Sequence, residues 1–173
     1  MIILISGATH AGKTLLAQKL LEKYKYPYLS IDHLKMGLIR SGNTNLTVFD
    51  DEKLTPYLWD IVKEIIKTAI ENNQNLIVEG CYIPFEWKNS FGKEYLEKIR
   101  YICLIMTKEY IEQNFDKIIK YADIIEKRLD DASFTKEILI SDNEKSLALC
   151  RKYDCEYLLI NENYEAALKG INI

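Results

Sequence analysis

Eight consecutive residues, Gly7-Ala8-Thr9-His10-Ala11-Gly12-Lys13-Thr14, match the pattern GxxxxGK[ST] in full. Each fixed position has a chemical reason. Gly7 and Gly12 let the backbone turn with its N–H groups facing inward, where a side chain would block a phosphate. The Lys13 ammonium can reach the outer phosphates of a nucleoside triphosphate, and the Thr14 hydroxyl is a hard oxygen ligand suited to Mg²⁺. The whole segment, from Gly7 through Ala8, Thr9, His10 and Ala11 to Thr14, is therefore a candidate cradle for ATP.

Such a loop works only between a strand and a helix, and the flanking residues supply both. Met1–Ser6 is an apolar, β-branched run, and Lys13–Lys23 carries Leu15, Leu16, Leu20 and Leu21. A helix starting there would aim its leading N–H groups and positive dipole end at the bound anion. Four more short runs read as buried strands: Pro27–Ile31, Asn75–Glu79, Arg100–Met106 and Glu156–Ile160. Glu52–Asn73 gathers Leu58, Ile61, Val62, Ile65, Ile66, Ala69 and Ile70 on one broad helical face. Lys108–Leu129 shows a stripe of Ile111, Phe115, Ile118, Ala122, Ile125 and Leu129, which predicts one long amphipathic helix. Ser141 with Glu144 predicts a capping box opening a helix over Asp142–Tyr153, and a short last helix is expected over Tyr164–Lys169. Asp130–Ile140 is the least regular stretch after residue 50 and reads as a flap or a surface connection. Alternation of strand and helix predicts an α/β fold of three layers, a parallel sheet of about five strands with helices on both faces. Residues 1–173 are expected to form a single P-loop domain, with a small lid over approximately 108–140.

Phosphate loops serve several protein classes. The Asn-Lys-x-Asp sequence by which GTPases read guanine is absent, and the glycine spacing is not the GxGxxG of dehydrogenases. In size and layout the chain resembles the compact P-loop kinases of small molecules and nucleotides: the adenylate kinase-like, shikimate and gluconate kinase-like, 2-phosphoglycerate kinase-like and zeta-toxin-like group. Beyond the loop, two segments carry the resemblance: Ser30-Ile31-Asp32-His33-Leu34-Lys35 and Leu76-Ile77-Val78-Glu79-Gly80. The first implies that Asp32 faces the transferring phosphate, accepting the acceptor's hydroxyl proton or holding a Mg²⁺-bound water. Asp32 also suits the cap of a helix His33–Arg40, and Arg40 is a candidate binder of an anionic acceptor. The second implies that Glu79, at the carboxyl end of a central strand, orients Mg²⁺ or contacts the acceptor, with Gly80 turning the chain away. Tyr82, Pro84, Phe85 and Trp87 follow and could wall an acceptor pocket, although Trp87 reads better as part of the core. Among the kinases of this group, one member prefers a histidine two residues after the glycine, where this chain has Tyr82. Kinases of this group also bring cations onto the moving phosphoryl group from a lid. Lys117 and Arg128, eleven residues apart and so nearly at one azimuth, are the candidates, with Arg128 assigned the catalytic contact. The resemblance implies an ATP- and Mg²⁺-dependent phosphotransferase acting on a small-molecule or nucleotide acceptor. Two other readings stay open: a nucleotide-binding ATPase or regulator without such an acceptor, and a nucleotide-sugar kinase of the zeta-toxin type.

Composition sets the boundaries of these readings. Of 173 residues, 48% are hydrophobic and 28% charged, enough for a core and too apolar for wholesale disorder. The formal net charge of −3 argues against nucleic acid as a partner. Cys81, Cys103, Cys150 and Cys155 form no CxxC pair, and His10 and His33 lie far from them in sequence, so a zinc site is not expected. No basic leader precedes the first apolar run and no membrane-length apolar stretch occurs; a soluble, cytoplasmic protein is expected.

Overall fold

The structure, a computed structural model, describes residues 1–122, 135–169 and 171. Five strands form one sheet in the order β2-β3-β1-β4-β5, all pairs parallel: β1 (Ile2–Gly7), β2 (Tyr28–Ser30), β3 (Leu76–Glu79), β4 (Ile99–Met106) and β5 (Tyr157–Ile160). Every strand expected from the sequence is present within one or two residues at each end. The helices are α1 (Lys13–Tyr24), α2 (Ile31–Arg40), α3 (Asp51–Glu71), α4 (Lys93–Leu96), α5 (Lys108–Ala122), α6 (Lys136–Lys152) and α7 (Tyr164–Lys169). A short 3-10 turn, Trp87–Ser90, precedes α4.

Side chains alternate across a strand, and here both faces are apolar. Ile2, Leu4, Val78, Tyr101, Cys103 and Ile105 meet α3 on one face, together with Trp87 and Cys150. Ile3, Ile5, Ile77, Ile102, Leu104 and Met106 meet Leu16 and Leu20 of α1, Ile111 and Ile118 of α5, Leu139 of α6 and Leu168 of α7 on the other. The result is the expected three-layer α/β P-loop arrangement. Among the described residues, no helix is long and apolar enough to cross a membrane.

Trp87 belongs to the core, as its better reading held. It stacks on Tyr101 (centroids 5.7 Å, 11° between planes), meets Phe91 edge-on at 6.2 Å, and is 4% exposed. Trp87→Ala is expected to lower unfolding free energy by about 3–5 kcal/mol, measured by urea denaturation, with nucleotide affinity little changed.

Two expectations are corrected. The helix predicted to begin at Ser141 begins at Lys136, capped by Thr135, whose Oγ1 accepts from the Ile138 N–H at 3.3 Å. Ser141 and Glu144 lie inside it, and Lys136–Ile140 is helical rather than irregular. Tertiary packing explains the extra turn. Leu139 is fully buried, and Asn143 (1% exposed) accepts from the Met106 N–H at 2.8 Å and donates to the Leu139 carbonyl at 2.8 Å. Asn143 thereby fastens α6 to the end of β4. The second correction concerns α2, which starts at Ile31, with Ser30 at its N-cap. Asp32 therefore lies within the first turn, where its charge favours the helix dipole, and is not the cap. Residues 123–134, including the rest of the long helix predicted to Leu129, lie outside the described residues.

Candidate active site

The order β2-β3-β1 sets three strand ends side by side, and each delivers one of the sequence candidates. Glu79 is in register with Ile5 of β1 and with Ser30 of β2. The connections from the neighbouring parallel strands β1 and β3 lead in opposite directions across the sheet: α1 leads from β1 toward β2, whereas the chain after β3 crosses to β4. This is the switch point at which open α/β sheets form their ligand crevice.

From β1 the chain enters the segment Gly7–Thr14, with Lys13 as the first residue of α1. Gly12 occupies the N-cap, where no side chain caps the helix. The leading N–H groups of α1 have no intrahelical acceptor by construction, so they face the loop as anion donors. Lys13 is 6% exposed, and its Nζ donates to the Ala8 carbonyl at 2.9 Å, which holds the ammonium over its own loop. The same carbonyl accepts from the Ala11 N–H at 3.2 Å, closing the turn. His10 holds a left-handed φ of 62°, a conformation in which His is enriched among residues with a side chain.

The positive φ of Gly7 and Gly12 fits the expected turn, and close neighbours give a second reason for glycine there. A Cβ on Gly7 would stand 2.6 Å from the Leu104 carbonyl of β4, the residue opposite it in register. A Cβ on Gly12, whose φ is +82°, would stand 1.9 Å from the hydroxyl oxygen of Tyr164. The neighbours that exclude a side chain are thus the protein's own, before any phosphate is considered. Tyr164 donates its hydroxyl to the Gly12 carbonyl at 2.9 Å, and burial raises its pKa. Glu165 pairs with Lys19 of α1 one residue further on. The last helix therefore clamps the phosphate loop, a contact 152 residues apart in sequence that local patterning does not reveal.

Thr14 and Glu79, the two candidate metal ligands, meet: Thr14 Oγ1 donates to Glu79 Oε2 at 3.3 Å. Glu79 is 1% exposed. A buried carboxylate is costly unless hydrogen-bonded or matched by a cation, and the Thr14 hydroxyl answers part of that cost. A hydroxyl and a carboxylate oxygen are the hard donors Mg²⁺ takes, usually alongside waters and substrate phosphates.

On the β2 side, Asp32 forms an ion pair with Lys35 at 2.8 Å, one turn along α2. Lys35 also donates to the Tyr82 hydroxyl at 2.9 Å and lies 4.9 Å from the centre of its ring. Tyr82 in turn donates to Asp51 Oδ1 at 2.6 Å, and desolvation together with that bond drives its pKa upward. Tyr82 is 4% exposed and is held between Lys35 and Asp51 by these two hydrogen bonds. Asp51, in the first turn of α3, was not among the sequence candidates. An acid there looks like ordinary dipole complementation, and only the fold brings it to Tyr82. Cys81 is an exposed residue whose thiol feels the charges of Lys13, Asp32, Lys35 and Asp51 together.

The remaining candidates lie apart. Arg40 is exposed in the last turn of α2, about 12 Å along the helix from Asp32 at 1.5 Å per residue. Lys117 is exposed on α5, and Arg128 lies outside the described residues. A groove of about 1010 Å³ is lined by Tyr24, Pro27, Ile65, Asn75 and Leu76 among others, at the amino ends of β2 and β3. It is at the opposite end of the sheet from the phosphate loop and contributes nothing to this site.

Fold and loop together define the class of the domain: a phosphate-loop nucleotide-binding fold with the compact layout of small kinases. No family model matches the sequence, and no curated protein matches it. Solved structures do match in shape. A deoxyadenosine kinase from M. mycoides has a TM-score of 0.58 at 16% identity, over 98% of this chain and 95% of that one. A gluconokinase from Sinorhizobium meliloti gives 0.51 at 10% identity, over 96% and 86%. A shikimate kinase from Bacteroides thetaiotaomicron gives 0.50 at 13% identity, over 98% and 94%. At such identities the likeness establishes the fold, which this chain shares with P-loop kinases of small molecules and nucleosides.

Proposed function

We propose that this chain is an ATP-dependent phosphotransferase that moves the terminal phosphoryl group of a nucleoside triphosphate to a small-molecule acceptor. The observation that carries the reading is the meeting of Thr14 with Glu79 at 3.3 Å. It joins a complete phosphate loop to a buried carboxylate on the adjacent strand, at the switch point of the sheet. The α1 N–H groups and Lys13 bind and orient the triphosphate. Thr14 and Glu79 would hold Mg²⁺, which when bound neutralises charge on the phosphates. Asp32, fixed by Lys35, aligns the acceptor's nucleophilic oxygen and takes its proton. The kinase neighbours in shape support the reading.

Removing either metal-facing oxygen should expose this division of labour. Thr14→Val, which keeps the shape and deletes the hydroxyl, is expected to weaken Mg²⁺-dependent nucleotide binding about 10–100-fold. Calorimetry should show a smaller loss without the metal. The reading as a whole is tested by incubating the protein with Mg-ATP and pooled nucleosides, nucleotides, sugars and hydroxy acids, and following products by mass. An acceptor gaining one phosphoryl group in the wild type and not in Lys13→Ala supports it; nucleotide binding with no phosphorylated acceptor contradicts it.

A further inference from the structure

We propose that the acceptor is a neutral molecule bearing at least two hydroxyl groups, read by Asp32 and Asp51 across the Tyr82–Lys35 bridge, and that acceptors carrying a carboxylate or phosphate are disfavoured. The inference rests on the phosphotransferase reading and specifies its substrate class.

Charge and hydrogen-bonding capacity at the three strand ends carry it. Two carboxylates, Asp32 and Asp51, belong to one connected cluster through Lys35 and Tyr82, Glu79 bonds to Thr14 at the neighbouring strand end, and among the described residues Lys35 is the cation within that cluster. Lys35 is committed. It pairs with Asp32, donates to Tyr82 and covers the Tyr82 ring, with 13% of its side chain exposed. Binding an anion through it would mean breaking the pair with Asp32. Lys13, the other cation acting on Cys81, serves the triphosphate.

What the cluster offers is the opposite of an anion site. Carboxylates accept hydrogen bonds only, about four each, and hydroxyl groups are the donors that match them. Asp51 gives one bond to Tyr82 and is otherwise exposed to an incoming ligand. Independently, Ser30 is 2% exposed, in register beside Glu79, and its Oγ has no hydrogen-bond partner among the described residues. A buried hydroxyl left without a partner is costly, and a polyhydroxylated ligand at this strand end supplies one. Arg40, the candidate for an anionic acceptor, stands at the other end of α2.

In the reaction, the acceptor's O–H bond breaks as its oxygen forms a bond to the terminal phosphorus. The proton passes to the Asp32 carboxylate and on to water. The bond between that phosphorus and the bridging oxygen breaks, and its electron pair leaves on the nucleoside diphosphate. A second acceptor hydroxyl donates to Asp51 and sets the orientation.

The test compares matched acceptors at saturating Mg-ATP: nucleosides with their 3′-monophosphates, hexoses with the corresponding sugar acids, glycerol with glycerate. The neutral member of the productive pair is expected to have a kcat/KM at least about 100-fold above its anionic partner, since like-charge juxtaposition is strongly disfavoured. Asp51→Asn keeps an acceptor for the Tyr82 hydroxyl and removes one charge. It should narrow that ratio about tenfold while ATP affinity, which reports folding, is unchanged. Preference for the anionic member, or a ratio that Asp51→Asn leaves unmoved, overturns the proposal while the phosphotransferase reading stands. Failure to phosphorylate any member, with Lys13-dependent ATP binding intact, overturns both.

Discussion

Lys13→Ala is expected to reduce phosphoryl transfer by about 10²–10³-fold in kcat, the scale seen when a charge stabiliser is removed from a preorganised site. The fold should survive. The Ala8 carbonyl that accepts from Lys13 also accepts from the Ala11 N–H, so the substitution leaves no orphaned acceptor. Taking a nearly buried ammonium out of the loop also removes a desolvation cost. Unfolding free energy should therefore change by about 1 kcal/mol or less. Nucleotide affinity should fall through the lost charge-assisted hydrogen bond, worth about 1.5–3 kcal/mol. Lys13→Arg should not restore activity, because a planar guanidinium cannot take the place of a compact ammonium inside a tight turn. Single-turnover kinetics and denaturant unfolding on the same preparations separate the two effects. Loss of activity in proportion to loss of folded protein would contradict the assignment.

Gly12→Ala is expected to damage the protein in two separable ways. The φ of +82° costs an alanine about 1–3 kcal/mol in backbone strain. Its Cβ, 1.9 Å from the Tyr164 hydroxyl, also forces the ring away from the loop. Tyr164→Ala in the Gly12→Ala background should relieve the clash and leave the strain. The double-mutant cycle should then show a coupling of about 0.5–3 kcal/mol. Tyr164→Phe alone, which loses only the hydrogen bond to the Gly12 carbonyl, should cost about 1 kcal/mol and raise the KM for ATP a few-fold. Calorimetric nucleotide binding with thermal unfolding reads both quantities. Additive effects of the two sites would show that Tyr164 does not act through Gly12.

The contrast between these two residues shows what sequence can carry. Lys13 stands in a contiguous pattern whose chemistry is local, and the central strands β1, β3 and β4 are legible because both faces of each are largely buried. Runs such as Ile2–Ile5 and Ile102–Met106 need no alternation to declare themselves. Tyr164 is invisible for the opposite reason. Its helix was legible, but its bond to Gly12 exists only once β5 is paired beside β4. Asp51 is hidden in the same way, since an acid in a first helical turn already has an ordinary explanation. The start of α6 was misplaced because Ser141 and Glu144 form a locally plausible cap, whereas burial of Leu139 and the bonds of Asn143 to β4 extend the helix backward. Asp32, read as capping its helix, instead lies within the first turn and pairs with Lys35.

The most direct test of the central claim is the destination of the terminal phosphoryl group of ATP. With γ-³²P-labelled Mg-ATP and a pool of neutral and anionic hydroxylated compounds, the wild type should place label on an organic acceptor in a single turnover. Lys13→Ala and Asp32→Ala should not. Label recovered only as inorganic phosphate, at a rate that no added compound changes, would contradict the account and identify a nucleotide hydrolase instead.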